Sequence, residues 1–198
     1  ILGVGGMQLY RAETPGPVKD NKMTPRIADT AKHLWYIYLS LTIACAGAYW
    51  LAGMNLFDAI CHAFSTVAIG GFSNHDASLG YFNSPLVNIV CTVFLLIAAL
   101  NFSLHYAAVS SRSVKGYFKD PEFKAFFFIQ ATLILICFLV LVLSGFYESA
   151  ETALDQAMIQ AVSISTTAGF ATTDFSVWPT FLPILLIFSS FIGGCASS

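Results

Sequence analysis

The sequence predicts an all-α integral membrane protein made of repeated units, each a span, a pore helix, a re-entrant filter loop and a second span. Three observations carry that expectation. Of the 198 residues, 57% are hydrophobic and 10% charged, against about 25% charged in an ordinary soluble domain, and the mean hydropathy is +0.72. Three runs, 34–54, 86–109 and 125–147, contain no Lys, Arg, Asp or Glu. Each is long enough, at about 1.5 Å per residue, to cross an apolar layer about 30 Å thick. Finally, Ser65-Thr66-Val67-Ala68-Ile69-Gly70-Gly71-Phe72 and Ser163-Ile164-Ser165-Thr166-Thr167-Ala168-Gly169-Phe170 sit at the same place in two copies of one pattern, each after an apolar run and a short helical segment.

The elements follow in order. Residues 1–33 read as the end of a preceding span, Ile1 to Met7, plus a basic linker, and they lack the charged start and cleavage pattern of a signal peptide. Residues 34–109 form a first span-loop-span unit, 110–124 a second linker, and 125–198 a second unit whose last apolar run, Trp178 to Ala196, ends in a Gly-rich patch. Every Lys and Arg lies in one of the two linkers, which places both on the cytoplasmic side. The segments between spans carry Asp58, Asp76, Glu148, Glu151, Asp155 and Asp174 and no Lys or Arg. Such an outer mouth attracts cations and repels anions.

Aligning Gly71-Phe72 with Gly169-Phe170 without gaps pairs Leu56 with Leu154, Ala59 with Ala157, Ala63 with Ala161, Ser65 with Ser163 and Asp76 with Asp174. Both copies are entered from a basic linker, so they share an orientation, and parallel repeats imply an axis along the membrane normal. Asn55 and Thr152 each precede an acid by three positions and are expected to cap the two short helices. A helix of about ten residues descends about 15 Å, half the apolar layer. Its carbonyl end, partly negative, then favours a cation near the midplane. The competing reading is a pair of amphipathic helices lying on the surface.

Small side chains let a backbone approach an axis closely, and glycine permits carbonyl directions that other residues resist. No carboxylate lies between Thr66 and Ser73 or between Ile164 and Ala171. That argues against an acidic ring for divalent ions and for carbonyl coordination of K+ or a similar ion. Phe72 and Phe170 are expected to pack behind the loops. The five cysteines read as small buried apolar residues without disulfide or metal spacing. The four histidines show no clustering in sequence, no catalytic constellation is visible, and Gly3-Val4-Gly5-Gly6 lacks the strand and helix of a phosphate loop. No enzyme activity, no cofactor apart from a transported ion and no nucleic-acid partner are expected.

The loop from Thr66 to Ser73 and the loop from Ser165 to Phe170 resemble the second and third filter loops of the Trk/Ktr/HKT superfamily of potassium transporters, most of all its bacterial TrkH-type subunits. The resemblance extends to Gly5-Gly6-Met7-Gln8-Leu9-Tyr10-Arg11-Ala12-Glu13 and to Phe191-Ile192-Gly193-Gly194-Cys195-Ala196. It implies four units around one pore, of which this chain holds the second and third as a central fragment. It implies that Gly71 and Gly169 are the key filter glycines, with Ile69, Gly70, Thr167 and Ala168 as further carbonyl donors to K+. By the same resemblance Gly193, Gly194, Cys195 and Ala196 begin a gate below the filter. The implied setting is the bacterial inner (plasma) membrane, crossed several times, with the lipid bilayer around it. The implied partners are the potassium ion, a second copy in a homodimer, and a cytoplasmic nucleotide-binding regulatory subunit. Two other classes stay open: a secondary carrier with broken helices, for which the spans offer only Asn88, Asn101, His105 and Gln130 as polar partners, and a non-conducting membrane assembly subunit.

Overall fold

The computed structural model describes residues 27–179 and 181–195, and for residues 27–30 the backbone alone. The sequence's expected tail of a preceding span, most of the first linker, and Ala196 lie outside the described residues. Within them every regular element is helical, as the fold class requires.

Helix α1, Ile27–Leu51, ends in a turn at Gly53. Helix α2, Leu56–Val67, starts where the sequence places it, because the Asn55 side chain accepts from Asp58 N at 2.9 Å. After the first small-residue loop and a 3-10 turn, Ser78–Phe82, the chain enters α3, Pro85–Ala98. Helix α4, Phe102–Ser111, and the short α5, Lys115–Lys119, lead to α6, Pro121–Leu143, whose first turn is capped by the Asp120 side chain. Helix α7, Ala150–Ser165, precedes the second loop, and α8, Leu182–Ser189, closes the described chain. Helices α1 and α6 are each long and apolar enough to cross a membrane.

Three local expectations change. The run 86–109, which the sequence offers as one crossing, is two helices, α3 and α4, bent by 89°. Several of the groups freed at the break find partners. The Asn101 side chain accepts from Ser103 N at 2.8 Å and caps α4, His105 Nε2 donates to Ile97 O at 3.0 Å, and Cys195 N donates to Ala99 O at 2.7 Å. A kink whose orphan carbonyls find partners elsewhere is stable. Second, α7 is capped by Ser149, which accepts from Thr152 N at 3.1 Å, and not by Thr152. The two short helices therefore have 12 and 16 residues, reaching about 18 and 24 Å. Third, the last apolar run is helical only over Leu182–Ser189 and leaves the helix through a turn ending at Gly193, φ +64°.

Each long helix packs on the short helix that follows it, α1 on α2 and α6 on α7, while α3 packs on α7 and so joins the units. The core is shared across that join. Cys45, Tyr49, Ala63, Val67 and Cys91 of the first unit form one cluster with Ile159, Val162, Ala168 and Phe170 of the second.

Candidate functional site

Both short helices end in the same backbone sequence of conformations. Ala68 and Thr166 have φ −81° with ψ near zero, the next residues Ile69 and Thr167 have φ +52° and +67°, and Gly71 and Gly169 have φ +65° and +87°. Gly70 and Ala168, between them, are not among the positive-φ residues. A β-branched residue at positive φ is strongly disfavoured. Two such residues at equivalent positions mean that the surroundings impose the same path on both loops.

That path separates donors from acceptors. The amides turn back onto the ends of the short helices: Ile69 N donates to Thr66 O at 3.0 Å, Gly70 N to Ser65 O at 2.7 Å, Thr167 N to Ile164 O at 3.0 Å and Gly169 N to Ser163 O at 3.1 Å. The carbonyl oxygens of Ile69, Gly70, Gly71, Thr167, Ala168 and Gly169 accept no hydrogen bond among the described residues. Of these six residues Ala168 is buried, Ile69, Gly70 and Gly71 are half-buried, and Thr167 and Gly169 are exposed.

The loops also abut. A β-carbon built on Gly71 would lie 1.8 Å from Ala168 O and 3.2 Å from the Gly169 carbonyl carbon, so only glycine fits there. At Gly169 the same construction meets nothing within 4 Å. Beyond the loops, Gly80 N donates to Ala171 O at 3.2 Å and Ala171 N to Ser78 Oγ at 3.3 Å. The aromatic that follows each glycine behaves differently in the two copies. Phe170 is 1% exposed in the shared core, whereas Phe72, expected to pack behind its loop, is 81% exposed.

Each loop exit is strapped to the helix that precedes it. In the first unit Asp58, 3% exposed, accepts from Asn55 Nδ2 at 2.7 Å, from His75 Nε2 at 3.0 Å and from Asn74 Nδ2. His62 Nδ1 lies 2.8 Å from the Asp58 carbonyl oxygen and must donate to it, so Nε2 accepts from the Ser73 hydroxyl at 2.9 Å. Ser73 Oγ in turn accepts from His75 N at 3.1 Å. Burial pushes the Asp58 carboxyl up, but the bonds from His75, Asn74 and Asn55 outweigh it and hold the pKa below the usual carboxylate value. The histidines that looked scattered in sequence are thus partly gathered, with the His62 and His75 rings stacked at 6.4 Å.

The second unit uses neutral groups at the matching positions. Thr172 Oγ1 donates to Gln156 Oε1 at 2.5 Å, and Gln160 Nε2 donates to Thr173 O at 3.0 Å and Thr172 Oγ1 at 3.3 Å. Sequence reasoning passed over both straps. The ungapped repeat does pair Asp58 with Gln156, His62 with Gln160 and Asn74 with Thr172, and polar residues four apart share one helix face.

Each of the four polar residues of the spans makes at least one bond within the chain, though Asn88 Oδ1 and Gln130 Nε2 are buried without a partner. Asn88 Nδ2 donates to Asp155 Oδ2 at 2.7 Å, Asn101 caps α4, His105 accepts from the Tyr117 hydroxyl at 2.7 Å, and Gln130 Oε1 accepts from Ser165 Oγ at 2.9 Å. Of the expected gate residues, Cys195 lies against the bend between α3 and α4, and Gly193 and Gly194 immediately precede it. Cys195 is buried with Ala99, Leu100 and Phe126, and Ile69 of the first loop packs on that same cluster. All five cysteines are free, and no three His, Cys, Asp or Glu side chains group as a metal site among the described residues.

A family model described as TrkH, cation transport protein, matches residues 1–198. The chain belongs to the TrkH family. It is 68% identical over 200 residues to the Trk system potassium uptake protein TrkH of Vibrio parahaemolyticus, covering 100% of this chain and 41% of that protein. It is 60% identical to the protein of the same name from Escherichia coli K12 and 44% identical to Trk system potassium uptake protein TrkG of that organism, covering 100% of this chain and 41% of each. Among solved structures, the crystal structure of the potassium transporter TrkH from Vibrio parahaemolyticus superposes with a TM-score of 0.85 at 66% identity, over 90% of this chain and 38% of that one. The chain thus spans about two fifths of the length of these TrkH relatives. It is a membrane protein of the all-α class.

Proposed function

We propose that this chain supplies the second and third filter loops of a potassium-conducting pore, with K+ bound by the carbonyl oxygens of Ile69, Gly70, Gly71, Thr167, Ala168 and Gly169. The observation that carries the reading is the set of six unbonded carbonyls on two touching loops of identical handedness. Inside a bilayer such groups persist only where they face water, protein or an ion, and rings of backbone carbonyls replace the hydration shell of a monovalent cation. The alternation of negative- and positive-φ residues turns successive carbonyls to one side of the loop and amides to the other. The family supports the same reading, because its members named above are potassium uptake proteins.

The rest of the functional setting is proposed with it. The protein crosses the bacterial inner (plasma) membrane several times, and a complete pore needs two further loops from the longer subunit. That subunit works as a homodimer with a cytoplasmic nucleotide-binding regulatory partner on the basic linkers, needs no cofactor beyond the transported ion, and is no enzyme. Gly193, Gly194, Cys195 and Ala196 act as the gate. A carrier for an organic substrate is less well supported, since Asn88, Asn101, His105 and Gln130 each already bond within the chain and only Asn88 Oδ1 and Gln130 Nε2 are buried without a partner.

Rubidium tracer flux into liposomes holding the full subunit, set against sodium and chloride flux, tests this. Rubidium is expected to exceed sodium, and Gly71→Ser or Gly169→Ser to weaken that preference. Unselective flux in the unaltered subunit, or unchanged selectivity in both variants, overturns the filter assignment.

A further inference from the structure

At the outer end of the join between the units, a cavity of about 150 Å³ is bordered by Asn83, Ser84, Asn88, Asp155 and Thr172 among others. Asp155 is unlike Asp58. Both bonds it receives, from Asn88 Nδ2 at 2.7 Å and Gln156 Nε2 at 3.4 Å, go to Oδ2. Its Oδ1 is buried without a partner, and so is Oδ1 of Asn88, itself 5% exposed. No Lys, Arg or His pairs with Asp155 among the described residues, in contrast to Asp58 with His75. Every described Lys and Arg belongs to the linkers or their edges.

Asp155 is half-buried as a residue, but its Oδ1 is shut from water with no counter-charge; that is costly, and such groups are paired, protonated or bound to a cation. We propose that this cavity is a second cation site, away from the filter loops, in which Asp155 Oδ1 and Asn88 Oδ1 bind a monovalent metal cation taken from the outer solution. One carboxylate among neutral oxygens matches a single positive charge, whereas protein sites for Ca2+ recruit several carboxylates. Asp155 is the sixth residue of α7, beyond the first turn where the positive end of the helix would oppose a cation. The ion bridges α3 of one unit to α7 of the next. Thr172 and Gly80 border the same cavity, so an ion there also stiffens the exit of the second loop.

The test is thermal unfolding of the purified full subunit in detergent at neutral pH, titrating sodium or potassium chloride against N-methylglucamine chloride at constant ionic strength. A saturable rise in Tm is expected, with half-saturation shifted at least about tenfold in Asp155→Asn. The sodium response should survive in Gly169→Ser, which separates this site from the filter. Because Asp155→Asn could fold poorly, Asn88→Asp is the companion: a second carboxylate should add a calcium response that the unaltered protein lacks. Absence of a saturable response to either alkali cation, a response unchanged in Asp155→Asn, no new calcium response in Asn88→Asp, or stabilisation that tracks protonation of Asp155 alone overturns the proposal.

Discussion

The two loops follow one backbone path but are held by different chemistry. In the first unit the exit is tied down by a buried carboxylate and two imidazoles, in the second by two carboxamides and a hydroxyl at the matching positions. The closeness of packing differs as well, since Gly71 is pressed against the backbone of the other loop and Gly169 faces open space. Equal backbones therefore do not mean equal tolerance. The first loop combines charge-assisted bonds with the tightest contact between units, and the second keeps the same shape with weaker, neutral ties and free room.

The largest effect expected from this contrast comes from the glycines. Gly71→Ala must displace Ala168 as well as strain its own φ, a loss of roughly 2–5 kcal/mol, while Gly169→Ala carries the conformational cost alone, about 1–2 kcal/mol. Unfolding in detergent reads both, and equal losses would contradict the close approach of the loops. Next come the straps. Asp58→Ala leaves Asn55, Asn74 and His75 without their acceptor and is expected to cost about 3 kcal/mol, against about 1 kcal/mol for Gln156→Ala, which loses the neutral bond from Thr172 and a long 3.4 Å one to Asp155. If the two variants unfold alike, the charge in the first strap contributes nothing.

A third difference concerns acid. The Asp58 pKa is lowered in the fold, so its contribution is present above the unfolded carboxyl value and is lost as pH falls through the folded one. The protection of the His75 amide, its exchange rate taken relative to the intrinsic rate at each pH, should therefore fall on acidification, while that of the Ala171 amide, bonded to Ser78 Oγ beside the second strap, should not. Asp174 is also held low by its bonds from Ser176, but protonating that exposed group frees only the turn at Phe175–Val177. The smallest effect is at the strained residues. Ile69→Gly and Thr167→Gly each relieve about 1 kcal/mol of left-handed strain and return roughly 0.5–1 kcal/mol as chain entropy. A net change near zero is expected at Thr167, which is exposed, whereas Ile69→Gly also removes the side chain that packs on Ala99, Leu100 and Cys195 and should lose more; equal effects at the two sites would contradict that packing.

Much of the architecture was legible because membrane solvation leaves a coarse signal. Charge-free runs 34–54 and 125–147 became α1 and α6, and Asn55 three residues before Asp58 became a cap. Thr152 did not, because Ser149 stands one turn earlier with the same chemistry and lets α7 begin sooner. The run 86–109 gave no sign of its 89° bend, since no proline or glycine marks it. The bend is held by the Asn101 cap, by His105 on Ile97 O and by Cys195, nearly a hundred residues later, which donates to Ala99 O. For the loops, composition pointed to small residues, glycine and no carboxylate, but their common handedness and their contact with each other are facts of three dimensions.

Composition and repeat spacing by themselves determined that this chain is helical, lies in a membrane and carries the same loop twice, because exclusion of charge from lipid and the period of the helix act on neighbours along the chain. Only the tertiary structure decided which groups hold each loop, why Phe170 is enclosed while Phe72 is not, and where Asp155 is left without a counter-charge. Those outcomes depend on hydrogen bonds and contacts between residues far apart in sequence, and no local pattern encodes which of several chemically equivalent partners a side chain will meet.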